Sequence, residues 1–211
     1  MVITIPLDFV DDLVAGIVTL FVILDPIGVL PFFLSLSKGA TSEKRDALAN
    51  RAVYVAAALL LIFAYLGYGI LGLLGVSIYD FEIAGGLLLL IFAVRDALSS
   101  EPLGAKESSD ALSSTTNLES VAVIPIATPL LAGPGSLATV MLLTKGPYGL
   151  LIGGIAIVVD CFFAWSALRL SGRISEKLGP NTLLIIGKVM DILMAAIAVS
   201  YLTKGIIGLS F

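Results

Sequence analysis

Long apolar runs, separated by short polar stretches, dominate the chain. A membrane-crossing helix needs about 20 mostly apolar residues. Six segments approximately qualify: 10–36, 52–74, 81–99, 119–143, 148–170 and 184–207. Between the first two, Ser37–Arg51 is polar and compatible with a helix, and its Thr41-Ser-Glu-Lys44 loosely fits a capping box. Turns are expected at Gly75-Val-Ser-Ile-Tyr-Asp80, at Gly146-Pro147 and at Gly179-Pro180. Glu101–Thr116, rich in Ser, Thr and charge, reads as the linker.

This pattern predicts an all-α polytopic membrane protein. A first unit of three spans covers 1–100, a polar linker covers 101–117, and a second unit of three spans covers 118–211. An odd number of spans per unit forces the second unit to lie upside down relative to the first, as in the inverted repeats of many secondary transporters.

Two of the six segments are interrupted. Leu24-Asp-Pro-Ile-Gly-Val-Leu-Pro31 and Thr128-Pro-Leu-Leu-Ala-Gly-Pro-Gly-Ser136 each place two prolines five apart, Pro26 with Pro31 and Pro129 with Pro134. Proline inside a helix removes a donor and clashes with the preceding turn. In hydrocarbon each freed backbone group costs several kcal/mol unless it finds a partner, so such backbone survives where it lines a protein-walled or wet cavity. Asp25-Pro26 and Thr128-Pro129 both read as an N-cap followed by proline at the first helical position. Spans one and four are therefore expected to be discontinuous, each starting a new half-helix whose bare amides suit an anion. Gly28, Gly133 and Gly135 would let a ligand approach the backbone, and Ser136 adds a hydroxyl. The bland alternative is a pair of proline kinks with no ligand.

Charge sharpens the picture. Asp25, Asp160 and Asp191 fall near the middle of spans, where an Asp costs at least about 2.5–3.5 kcal/mol and usually marks an ion or substrate path. Asp25 has a second use as a cap. Asp191 has Lys188 three residues earlier, so a structural ion pair competes with function. Asp160 has no local partner and is the cleanest candidate for binding a proton or cation. Lys38, Lys44, Arg45, Arg51, Arg95, Lys106, Arg169, Arg173 and Lys177 would collect on one side, against Lys145 and Lys204 on the other. The first side is expected to face the cytoplasm, with both termini outside.

Composition agrees. The chain has 211 residues, of which 58% are hydrophobic and 13% charged, with a mean hydropathy of +1.08. Soluble domains run at about 45–50% apolar and about 25% charged. Residues 1–12 carry three acids and no base, so the first apolar segment is expected to be retained rather than cleaved as a signal peptide. Without histidine and with one cysteine, a histidine relay and an intrachain disulfide are excluded, and no metal or cofactor is expected beyond a coupling H+ or Na+.

Leu24-Asp-Pro-Ile-Gly-Val-Leu-Pro-Phe-Phe33 and Ile126-Ala-Thr-Pro-Leu-Leu-Ala-Gly-Pro-Gly-Ser136 resemble the MarC family over nearly the full length, and in particular the SnatA-type small neutral amino acid transporters within it. That resemblance implies uptake of glycine, alanine and similar amino acids driven by a cation gradient.

The expected function is thus secondary transport of a small zwitterion across the cytoplasmic membrane. Asp25, Pro26, Gly28, Thr128, Pro129, Gly133, Gly135 and Ser136 would form the substrate site, and Asp160 or Asp191 would take the coupling ion. No catalytic residues and no nucleic-acid partner are expected; a homo-oligomer is compatible. Rival readings are an exporter of amino acids or toxic compounds, a channel, or a membrane enzyme. The channel lacks a charged ring. The enzyme would have to use Glu101, Glu107 and Asp110, with no histidine or nucleophile nearby.

Overall fold

The computed structural model describes residues 7–37, 40–98, 131–145 and 148–210. Thr128, Pro129, the linker 101–117, the turn 146–147 and the first part of the fourth apolar segment lie outside the described residues. Within them all regular structure is helical: α1 (Leu7–Leu24), α2 (Val29–Leu36), α3 (Ser42–Leu74), α4 (Ile78–Leu98), α5 (Pro134–Leu143), α6 (Gly149–Arg169) and α7 (Ser171–Leu209).

Three stretches are long and apolar enough to cross a membrane unaided: Ser42–Leu74, Gly149–Arg169 and Asn181–Leu209. Helices α1 and α4 are long but carry acids, and α5 is short and apolar. The chain is therefore a polytopic membrane protein. Large apolar side chains such as Leu66, Leu73, Val158, Phe162, Ile185 and Ile192 point outward, the surface that lipid would cover.

Local chemistry sets the helix ends. The polar segment before the second span is continuous with it: Thr41 Oγ1 accepts from the Lys44 amide, and the helix runs 33 residues before Gly75 closes it in the left-handed region at φ 68°. Ser77 caps α4 reciprocally. Its hydroxyl accepts from the Asp80 amide while Asp80 Oδ2 accepts from the Ser77 amide and hydroxyl. These donors hold the exposed Asp80 carboxyl below the ordinary carboxylate range. The turn expected at Gly179 is a break inside α7, with φ 75° and ψ 160°.

Helix pairing is specific. Helix α4 runs along α7, and α3 along α6; α1 packs on α6 and α5, α5 on α3 and α4, and α2 on α7. The main core joins Leu20, Leu24 and Phe33 to Leu60, Ile157 and Leu168; a second cluster joins Ile23 and Leu89 to Met194, Ala198 and Tyr201. Where α4 crosses α7 the backbones nearly touch: a Cβ at Gly86 would sit 2.9 Å from the Ala198 carbonyl oxygen, and one at Gly205 2.9 Å from that of Tyr79. Thr139 Oγ1 donates to the Gly135 carbonyl at 2.7 Å, so at 2.8 Å from Tyr201 its lone pair accepts the phenol proton, tying α5 to α7.

The two ends of the bundle differ. Lys145 stacks over Tyr79 at one end. At the other, Asp46 pairs with Arg169 at 3.1 Å, Arg169 lies over Trp165, and the Trp165 ring N–H donates to Asn50.

Candidate functional site

The first break is built from Asp25. The residue before a proline is pushed out of the right-handed helical region, and Asp25 sits at φ 42°, which Asp tolerates better than most residues. Its amide still donates to Phe21, closing α1, while its carbonyl accepts from Val29 to start the next turn. Its Oδ1 accepts from the Gly28 amide at 3.0 Å. A Cβ at Gly28 would lie 1.8 Å from Asp25 Oδ2, so any side chain there would push the carboxylate aside. Asp25 and Pro26 are buried. The Gly28 amide is thus committed to Asp25 rather than offered to an anion, unlike its expected role.

The second break is built differently. Gly133 is the N-cap of α5 in extended conformation, Pro134 stands at the first helical position, and no side chain caps the helix. Proline has no amide, so the uncapped donors are those of Gly135 and Ser136. Ser136 donates its hydroxyl to the Leu131 carbonyl at 2.8 Å, restoring a partner that the break removed. One half-helix therefore carries its own carboxylate, and the other presents bare amides.

The two breaks meet at one open cavity. Asp25, Gly28 and Val29 line it from the first, and Gly133, Pro134, Gly135 and Ser136 from the second. Ile23, Leu24, Phe32, Leu89, Phe92 and Met194 supply apolar walls, and Asp96 and Asp191 complete it. Its empty space, open mouth included, is about 680 Å³. A second, smaller cavity, with about 270 Å³ of empty space including its open mouth, shares Gly28, Asp96 and Asp191 with the first and reaches Pro31, Leu183, Leu184, Gly187 and Lys188. Helix α7 comes close at Gly187, whose Cβ would lie 3.9 Å from the Gly28 Cα.

Of the residues singled out in the sequence, Asp25, Gly28, Gly133, Gly135, Ser136 and Asp191 thus come together. Pro26 supports the break without lining the cavity. Asp160, on α6, does not line it either; it is fully buried, and neither carboxyl oxygen has a hydrogen-bond partner. Asp96 was not anticipated. It sits next to the exposed Arg95 near a span end, yet it continues the buried face of α4 through Glu82, Gly85, Gly86, Leu89 and Ala93, a helical spacing already visible in the sequence.

Lys188 and Asp191, one turn apart, have Nζ and Oδ2 separated by 4.0 Å, and Lys188 donates to the backbone carbonyl of Asp96. Among the described residues no cluster of His, Cys, Asp or Glu is arranged to hold a metal ion.

Residues 10–210 match the family model described as MarC family integral membrane protein. Curated relatives are likewise membrane proteins. A UPF0056 membrane protein of Methanocaldococcus jannaschii is 32% identical over 195 residues, covering 90% of this chain and 93% of its own. The UPF0056 membrane protein YvbG of Bacillus subtilis is 32% identical over 203 residues, 91% of this chain and 92% of its own. The UPF0056 membrane protein YhcE of Escherichia coli is 30% identical over 194 residues, with 90% and 89% covered. No solved structure matches the chain. With its broken helices, its apolar outer surface and a match spanning almost every residue, the chain belongs to the MarC family of integral membrane proteins.

Proposed function

We propose that the protein is a secondary active transporter of small neutral amino acids such as glycine or alanine, coupled to a proton or sodium gradient and working by alternating access around a site at mid-membrane depth. One observation carries this reading: two helix breaks, far apart in sequence, line a single small cavity with opposite chemistry. A zwitterion fits that polarity. Its carboxylate sits at the bare amides of Gly135 and Ser136, and its ammonium at Asp25, Asp96 and Asp191. Hydrogen bonds to a charged group are worth about 1.5–3 kcal/mol each, more than the 0.3–1 kcal/mol or so of a helix end alone, so the amides rather than the dipole set the position. Phe32, Phe92 and Met194 limit side-chain size.

The architecture we propose is six spans in two inverted three-helix repeats, with spans one and four discontinuous. The helix pairing supports it. Exchanging each described helix for its counterpart in the other half turns α2–α7 into α5–α4, while α4–α7 and α3–α6 map onto themselves. The positive-inside rule places the Arg45 and Arg169 end in the cytoplasm and both termini outside. On this reading the protein is a carrier, not an enzyme.

The test is uptake of radiolabelled glycine into proteoliposomes under imposed gradients. A Cβ at Gly135 would meet Leu89 at 2.6 Å, and a valine there would also crowd the amides. Gly135→Val should abolish saturable uptake. Gradient-driven uptake that is unchanged in Gly135→Val and in Asp191→Asn would overturn the site.

A further inference from the structure

Asp160 is the buried acid that the shared cavity does not use. It is fully buried on α6, and no protein group bonds either carboxyl oxygen. Buried polar groups kept for structure are nearly always hydrogen-bonded, so an orphaned carboxyl needs another explanation.

The register of the α3–α6 pair fixes its depth. Asp46 pairs with Arg169, Asn50 accepts from Trp165, and the Tyr65 hydroxyl donates to the Leu150 carbonyl. The two helices are antiparallel and step together, residue for residue. The same register sets Asp160 level with Val55, beside the buried Ala52 and Ala56. At a rise of about 1.5 Å per residue it lies about 14 Å along the helix from Arg169 and about 15 Å from Leu150, midway through the bundle. Buried alanines, Ala156 and Ala164, flank it on its own helix. The shift that carries Pro26 onto Pro129 and Pro31 onto Pro134 carries Ala57 onto Asp160. At the matching place in the other half a methyl group serves the packing, so the fold itself does not call for an acid.

Helices α1, α2, α3, α5 and α7 pack on α6. Asp11 and Asp12 of α1 are exposed, and Asp25 beyond its end lines the shared cavity. The charged residues of α3, from Glu43 to Arg51, stand in its first turns at the Arg169 end, and Tyr54 points outward. Helices α2 and α5 contain no titratable residue. On α7, Arg173, Glu176 and Lys177 precede the Gly179 break, Lys188 and Asp191 border the two cavities, Tyr201 bonds Thr139, and Lys204 is near the far end. The titratable group beside Asp160 is the buried Cys161. Among the described residues, then, no base is placed to balance a charge on Asp160.

An ionised carboxylate without a partner in such surroundings is too costly to persist, whereas the neutral acid is tolerated. A hard cation such as sodium needs a shell of oxygen ligands. The neighbouring alanines offer none, and the carbonyls of α3 and α6 are spent within their own helices. A proton needs one oxygen only.

We propose that Asp160 is the proton-coupling site: it holds a proton in this conformation, locked between α6 and its neighbours, and releases it when those helices part in the transport cycle. The step is a simple ionisation. The O–H bond breaks, the proton passes to water, the carboxylate keeps the electron pair, and the reverse reloads the site. Proton and substrate occupy separate places, so coupling runs through helix movement rather than through competition for one cavity. This rests on the carrier reading for what the proton drives, but not for the exchangeable proton itself.

The experiment uses the full chain in nanodiscs, first without substrate and with the aspartate carboxyls labelled with carbon-13. The infrared band of protonated aspartic acid is followed near neutral pH and after transfer to D2O. A labelled component should vanish in Asp160→Asn, and in the wild type that component should take up deuterium within minutes. Size-exclusion chromatography and circular dichroism check the fold; if Asp160→Asn does not fold, Asp160→Glu, which removes the labelled group and keeps an acid, takes its place. A folded variant that loses no component overturns the proposal, and so does a component that stays undeuterated for hours.

Second, glycine accumulation in proteoliposomes under a pH gradient is compared with glycine exchange at equal pH. For one proton per glycine, a gradient of about one pH unit should raise wild-type accumulation by up to about tenfold. Asp160→Asn should lose that dependence while exchange continues. A dependence that survives in Asp160→Asn, or a loss of exchange equal to the loss of accumulation, overturns the coupling role. A wild type that moves no glycine rejects the amino-acid reading, and deuterium uptake then decides the proton site alone.

Discussion

Asp25 shows how much one residue fixes. It closes α1, starts the next turn, accepts from the Gly28 amide and presents a carboxylate to the cavity, all from a left-handed backbone. Replacing it with alanine removes the cap, which should cost about 0.5–2 kcal/mol, and leaves the half-buried Gly28 amide without its partner. Asp25→Asn keeps an acceptor and should unfold within about 0.5 kcal/mol of the wild type while losing glycine affinity. Thermal unfolding in detergent and glycine binding separate the two effects. Equal stability loss in both variants would show that charge, not capping, holds the break. Asp25 is legible in the sequence because an acid before a proline inside an apolar run has few other uses. Asp96 is not, because an Arg-Asp pair near a span end reads as interfacial; what identifies it is the face of α4 it shares with Gly85 and Leu89. Asp160 lies on α6, outside the lining of the shared cavity. Lack of a sequence-local partner says nothing about which cavity a buried acid faces.

At the scale of elements, helix ends and crossings are governed by short-range chemistry that sequence reveals well. The Thr41 cap, the Gly75 stop and the Gly179 break fall where the residues place them. The crossing of α4 and α7 is less legible, since a glycine in an apolar helix can pack or merely be tolerated. The structure distinguishes them. At Gly86 a Cβ meets backbone of α7 at 2.9 and 3.1 Å, whereas at Gly72 it meets nothing within 4 Å. Gly86→Ala should therefore lower stability by about 1–3 kcal/mol, and Gly72→Ala should leave it unchanged or raise it. Thermal melts of the two variants check this; equal effects would contradict the close crossing. The cap of α4 gives a pH prediction. Hydrogen bonds from Ser77 lower the Asp80 carboxyl, so their contribution is present above the ordinary carboxylate range and is lost as pH falls through the depressed folded value. In Ser77→Ala, an NMR titration should find Asp80 moved back up toward its ordinary range. An unchanged titration would mean that Ser77 is not the cause.

For the whole molecule, the plan follows from solvent. A chain this apolar needs lipid around it, and backbone broken at membrane depth needs a protein-walled cavity. The proline-rich breaks announce that cavity in the sequence; the asymmetry of its poles does not show there, because both breaks look like capped helix starts. Only the structure reveals that the first spends its amide on its own aspartate while the second keeps its amides bare. Size adds a bound. A ligand of about five heavy atoms is limited to roughly 1.5 kcal/mol per atom, or about 7.5 kcal/mol, so the proposed substrate glycine is expected to bind no tighter than the micromolar range.

The most direct measurement is a structure of the protein determined with saturating glycine. The account predicts one molecule in the shared cavity, its carboxylate within hydrogen-bond distance of the Gly135 and Ser136 amides and its ammonium turned toward Asp191. Glycine bound elsewhere, bound in the reverse orientation, or absent from a cavity that stays open would contradict it.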